Sequence, residues 1–133
     1  MGDVLVDTSA WIEFFNHPSS RWGEVLDLLL GEERVCTTDL VIAEVVSGAK
    51  NRSEFERLRA DFKKLPLVSF LPSLWDQMLE SRWQLKRRGV TGIGIPDLMV
   101  AHIALAHRKI LFTLDRDFLR MRPVLTLELL ELS

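Results

Sequence analysis

The sequence has almost no net charge: 17 Lys and Arg against 19 Asp and Glu leave −2. No global field draws the chain to nucleic acid or to a membrane. A polyanionic partner would have to be held by a local basic patch or through a bound metal. Cysteine is nearly absent as well. The one thiol, Cys36, excludes an internal disulfide and fits a reducing cytoplasm. No apolar run approaches the roughly 20 residues of a transmembrane helix. The opening "MGDVLVDTSAW" lacks the basic lead and long apolar core of a signal peptide. Val6 stands where N-myristoylation wants Ser or Thr. The expectation is a soluble, cytoplasmic protein without a membrane segment.

What is present fits one globular unit. The 133 residues, 47% hydrophobic and 27% charged, suffice for a real core, and we expect a single domain over 1–133. "VLVD" (4–7), "RVCTT" (34–38), "LVSF" (67–70) and "ILFTLD" (110–115) read as strands, with "VLTLELL" (124–130) as a last one. Helical spacing covers "TSAWIEFFN", "SSRWGEVLDLLLGEE" (19–33), "LVIAEVVSGA", "SEFERLRADFKKL" (53–65) and "SLWDQMLESRWQLKRRG" (73–89). The fifth ends on Gly89, with Lys86, Arg87 and Arg88 suited to the negative end of the helix dipole. Pro96 starts the apolar helix "PDLMVAHIALAHRK", and "RDFLRM" is a short one. Strands alternating with helices predict an α/β fold of three layers, α/β/α, around a central, mostly parallel sheet.

In such sheets ligands gather beyond the carboxyl ends of the strands. Asp7 and Asp115 end two predicted strands, Asp97 lies in the first turn after "TGIGIP", and Glu44 interrupts the apolar run "LVIAEVV". Singly, each acid has an ordinary reading: Asp7 and Asp115 as helix caps, Asp97 as a dipole complement, Glu44 at an exposed helix edge. Together they would repel, by about 4 kcal/mol per pair at roughly 4 Å in an effective dielectric of about 20. A divalent cation relieves that repulsion, and an all-oxygen donor set suits Mg²⁺ or Mn²⁺. On this reading Glu44 sits among apolar residues because a metal ion is its partner.

The blocks "VDTSAWIEFF", "TTDLVIAEVVSGA", "IPDLMVAHIALAH" and "LFTLDRDF", in this order and spacing, resemble the PIN-domain ribonucleases. Among them, the chain is most similar to the VapC-type toxins of bacterial and archaeal toxin–antitoxin pairs. The resemblance implies a parallel sheet flanked by helices and Mg²⁺- or Mn²⁺-dependent endonucleolytic cleavage of RNA, leaving a 3′-hydroxyl and a 5′-phosphate. Asp7, Glu44, Asp97 and Asp115 match the four family acids in turn, as catalytic and metal-binding residues. Ser9 and Thr113 match supporting hydroxyls, and Asp117 falls at a variable, peripheral position. The resemblance further implies a homodimer and a small VapB-type antitoxin that covers the active site. Trp11, Phe14, Phe15 and Trp22 are candidates for that contact, with core packing as the competing role.

The expected chemistry is hydrolysis of RNA phosphodiester bonds by metal-activated water, with no histidine required. His102 and His107 are read as packing or helix-end residues, His17 as a loop residue and Cys36 as core. Substrate phosphates call for cations, and Arg87, Arg88 and Arg116 are the RNA-binding candidates, with Arg120, Arg122 and "HRK" (107–109) as further ones. Trp75 and Trp83, like the other two tryptophans, are expected in core or dimer packing. A haloacid-dehalogenase-like phosphatase also begins on a strand-end Asp, but needs a second acid two residues later, where Ser9 stands. The remaining alternative is a non-catalytic PIN-like module that binds RNA or protein.

Overall fold

The computed structural model describes residues 2–131. Strand β1 (Val4–Val6) lies between β2 (Val35–Cys36) and β3 (Ile110–Phe112) in a parallel sheet of order β2-β1-β3. Val4, Leu5 and Val6 are fully buried, as a strand covered on both faces requires. The expected strands at 67–70 and 124–130 shrink to single parallel bridges, Leu67 beside Thr37 and Leu129 beside Leu111. Each bridge rests on two hydrogen bonds around one residue: Thr37 N–H to Pro66 O and Val68 N–H to Thr37 O, and likewise Leu111 to Glu128 and Leu130 to Leu111. They extend the order at both edges without adding full strands.

The helices are α1 (Thr8–Asn16), α2 (Arg21–Gly31), α3 (Asp39–Ser47), α4 (Arg52–Phe62), α5 (Leu74–Arg87), α6 (Ile95–Ala106) and α7 (Asp117–Arg120). Their ends follow local chemistry. The Ser20 side chain accepts from Gly23 N–H and Asn51 from Glu54 N–H, each capping a helix start. Gly89, at φ +80°, turns the chain out of α5 in a conformation glycine adopts without strain. Helices link the parallel strands, as crossover connections require, and they pack in two groups. Accordingly α1 packs on α2 and α3, while α6 packs on α5, α7 and β3. No helix among the described residues is long and apolar enough to cross a membrane.

Candidate active site

The parallel register fixes the first contacts. Val6 pairs with Phe112, and Asp7 N–H donates to Phe112 O at 2.8 Å, so the residues that follow β1 and β3 leave the sheet side by side. Asp7 is only 5% exposed. It occupies the N-cap position of α1, where its side chain makes no cap hydrogen bond by geometry. Instead its Oδ2 accepts from Thr113 Oγ1 at 2.8 Å and from Ser9 Oγ at 3.0 Å. Those hydroxyls in turn accept from Asp115 N–H at 3.0 Å and Leu114 N–H at 2.9 Å. Burial pushes the Asp7 carboxyl up, and the two hydroxyls oppose that shift by stabilising the anion.

Asp97 arrives from the first turn of α6 and Asp115 from the loop after β3. Asp117, expected to be peripheral, joins them: Asp97, Asp115 and Asp117 present carboxylate oxygens that all lie within 4.8 Å of one another. A local turn brings it in, since Asp115 Oδ1 accepts from Asp117 N–H at 2.9 Å. The spacing Asp-x-Asp at a strand end was the available signal, because an Asp readily bonds the backbone two residues on. The Asp97 carboxyl is pushed up to about 6, by burial first and then by the charges of Asp7, Asp115, Asp117 and Glu44. All four predicted acids therefore lie within electrostatic reach of one point.

Glu44 departs from the expectation of dry surroundings. It is exposed, and Thr8 Oγ1 donates to its Oε1 at 2.9 Å. On α3 the buried positions are Val41, Val45 and Val46. At about 100° per residue, positions 43 and 44 then turn toward solvent, so the apolar run misrepresented the environment of its acid.

Several candidate cations are engaged within the chain. Arg120 Nη1 donates to Asp117 Oδ1 at 3.0 Å and Nη2 to Thr91 O at 2.6 Å, while Arg122 pairs with Glu131 at 3.1 Å. Arg82 also donates to Ile93 O. Two arginines thus fasten the loop that delivers Asp97, a role hidden in the sequence. Arg116 sits exposed between Asp115 and Asp117, Arg88 caps α5, and the Arg87 guanidinium lies 5.9 Å from the Trp83 ring centroid. His102 is buried with Nε2 3.0 Å from Ser81 Oγ, and burial pulls its pKa down; His107 Nε2 donates to Ser69 O at 2.9 Å. Cys36 is core.

The donor set fits a hard cation. Three carboxylates at this separation, with Asp97 already resisting ionisation, gain most from an oxygen-preferring divalent ion. The family model for the PIN domain matches residues 4–123. VapC ribonuclease Mb1587 of Mycobacterium bovis and Ribonuclease VapC11 of Mycobacterium tuberculosis are each 31% identical over 124 residues, covering 86% of this chain and 88% of theirs. The fold matches VapBC2 from Rickettsia felis, bound to a promoter DNA fragment, at TM-score 0.74 and 23% identity over 96% of this chain and 98% of that one. VapBC-1 from nontypeable Haemophilus influenzae gives 0.76 and 20% over 96% of each. With its family match, its VapC relatives and its carboxylates at one sheet edge, the chain belongs to the PIN-domain family, on the VapC branch.

Proposed function

We propose that the chain is a metal-dependent endoribonuclease, the toxin of a toxin–antitoxin pair, formed by one PIN domain over 1–133. The observation that carries this reading is the convergence of Asp97, Asp115 and Asp117, whose carboxylate oxygens lie within 4.8 Å of one another, with Asp7 and Glu44 close enough to help push the Asp97 carboxyl up. A structural protein gains nothing from such repulsion, and a cation site does. Asp97, Asp115 and Asp117 would hold the ion, with Asp7 braced beside them by Ser9 and Thr113. A bound Mg²⁺ or Mn²⁺ would make a coordinated water more acidic and neutralise charge building on the phosphate. With Oε1 accepting from Thr8, Glu44 would use Oε2 to hold the ion, directly or through water, or to orient the attacking water. Arg116, exposed between two of the acids, is the cation best placed for an RNA phosphate; Arg87 and Arg88 would contact more distant ones.

The named relatives are ribonucleases, and the solved neighbours include VapBC assemblies and one printed as a toxin–antitoxin complex, which supports an RNA substrate and a VapB-type partner. An apolar hollow of about 300 Å³ lined by Trp11, Phe14, Phe15, Leu30, Leu58 and Phe62 suits the antitoxin chain. Trp11 Nε1 is buried without an acceptor among the described residues. Trp22, by contrast, packs on Phe112 in the core. An RNA substrate and an unpaired thiol fit a cytoplasmic location.

The test presumes no target. Wild type and Asp97→Asn are induced in a bacterial host and RNA 5′-monophosphate ends are sequenced. Growth arrest with new ends at a few sites, absent in the variant, is the expected result. Identical profiles from two folded proteins would instead support a non-catalytic binding module.

A further inference from the structure

The three carboxylates that would hold the ion come from two separate stretches of chain. Asp97 follows the loop 90–94 into α6, whereas Asp115 and Asp117 follow β3. Within the second stretch a local bond, from Asp117 N–H to Asp115 Oδ1, sets the spacing. The first stretch has a weaker frame. Thr91, Gly92 and Gly94 are exposed, Gly92 sits at φ +82°, and Gly94 has no side chain to cap α6. Only the inner edge of the loop is anchored: Ile93 is buried, and its carbonyl accepts from Arg82 on α5.

Arg120, the last residue of α7, spans the gap between the stretches. Its Nη1 donates to Asp117 Oδ1 at 3.0 Å and its Nη2 to Thr91 O at 2.6 Å. One planar guanidinium therefore sets how far the Asp117 carboxylate stands from the loop that leads to Asp97. It also occupies one oxygen of Asp117 and leaves Oδ2 for an ion. The side chains of Arg120 and Asp117 are 44% and 31% exposed, and an ion pair so open to water adds little to stability. What Arg120 contributes is geometry.

We infer that Arg120 is a positioning residue of the metal site: its guanidinium holds Asp117 and the 90–94 loop at the separation at which Asp97, Asp115 and Asp117 close on one divalent ion. This role rests on the cluster being a metal site, as proposed above, and not on RNA being the substrate. The opposite role has the opposite sign. A guanidinium that merely competed with the ion for Asp117 would weaken binding, and its removal would strengthen it.

Mn²⁺ binding to the full chain, without RNA, is read by calorimetric titration beside amide hydrogen exchange. Arg120→Ala should bind Mn²⁺ about 10- to 100-fold more weakly, with faster exchange in the loop 90–94 and unchanged exchange in β1 and β3. Arg120→Lys keeps the charge without the planar fork and should recover only part of the loss. Asp117→Asn keeps an Oδ1 acceptor for Arg120, so it should lose Mn²⁺ affinity with loop exchange as in wild type. Unchanged or tighter Mn²⁺ binding by Arg120→Ala, unchanged loop exchange, or full recovery by Arg120→Lys would each overturn the inference. A wild type that binds no Mn²⁺ would overturn it together with the metal reading. Mn²⁺ binding that follows the expected order in a protein that cleaves no RNA would support it and overturn the nuclease reading alone.

Discussion

At the scale of single residues, two carboxyls of the site resist ionisation for different reasons. Asp7 is buried and compensated by two hydroxyls; Asp97 is buried less and surrounded by like charge. Thr113 joins Asp7 to the Asp115 loop, donating to Asp7 Oδ2 while accepting from Asp115 N–H. Thr113→Val keeps the volume and removes both bonds together with the contact to Ser9 Oγ at 3.1 Å. We expect divalent-metal affinity, by calorimetric titration, and RNA cleavage to fall by about 10- to 100-fold, with the far-ultraviolet spectrum retained. Asp7, Asp97 and Asp115 were legible in the sequence because chain order alone sends strand ends and the next helix start to one edge. The Asp117 role and the exposure of Glu44 were not. One depends on a two-residue turn, the other on which side of α3 meets the core.

At the scale of elements, α2 is pinned where it starts. A Cβ at Gly23 would stand 2.6 Å from His17 O and 2.9 Å from Pro18 O, so helix and preceding turn touch through backbone. Gly23→Ala should therefore destabilise the fold by about 1–3 kcal/mol, read as a lower denaturant midpoint. An ordinary exposed-helix glycine would instead gain from the same change, as helix propensity dictates. The helices were legible because their apolar spacing is local, and the two edge strands were overread for the same reason. A run such as "LVSF" has strand composition, yet its pairing depends on what lies beside it, and only Leu67 finds a partner at Thr37.

At the scale of the whole molecule, the acid cluster ties stability to pH and to metal. A carboxyl raised from 3.8 to about 6 by folding binds its proton more tightly in the folded chain. Ionised Asp97 therefore costs stability at neutral pH, and that cost fades as pH falls from about 6 toward 4. Allowing for solvent screening of a part-exposed group, the cost is of order 1 kcal/mol. Metal-free Asp97→Asn should melt above wild type at pH 7.5 and converge with it near pH 4. Added Mn²⁺ should raise the wild-type Tm with increasing concentration and raise that of the variant far less.

The sequence by itself determined the order of elements, the parallel α/β layering and the arrival of Asp7, Asp97 and Asp115 at one edge. These follow from hydrophobic period and chain direction, which are local. Only the tertiary structure decided what faces each group, because the partners come from distant parts of the chain. Thr8 reaches Glu44 across 36 positions, Arg120 holds Thr91 across 29, and Thr113 braces Asp7 across 106. The exposed side of α5, with Trp75, Leu79 and Trp83, belongs with them: a stripe on a helix shows which residues share a side, and only packing shows which side is left open.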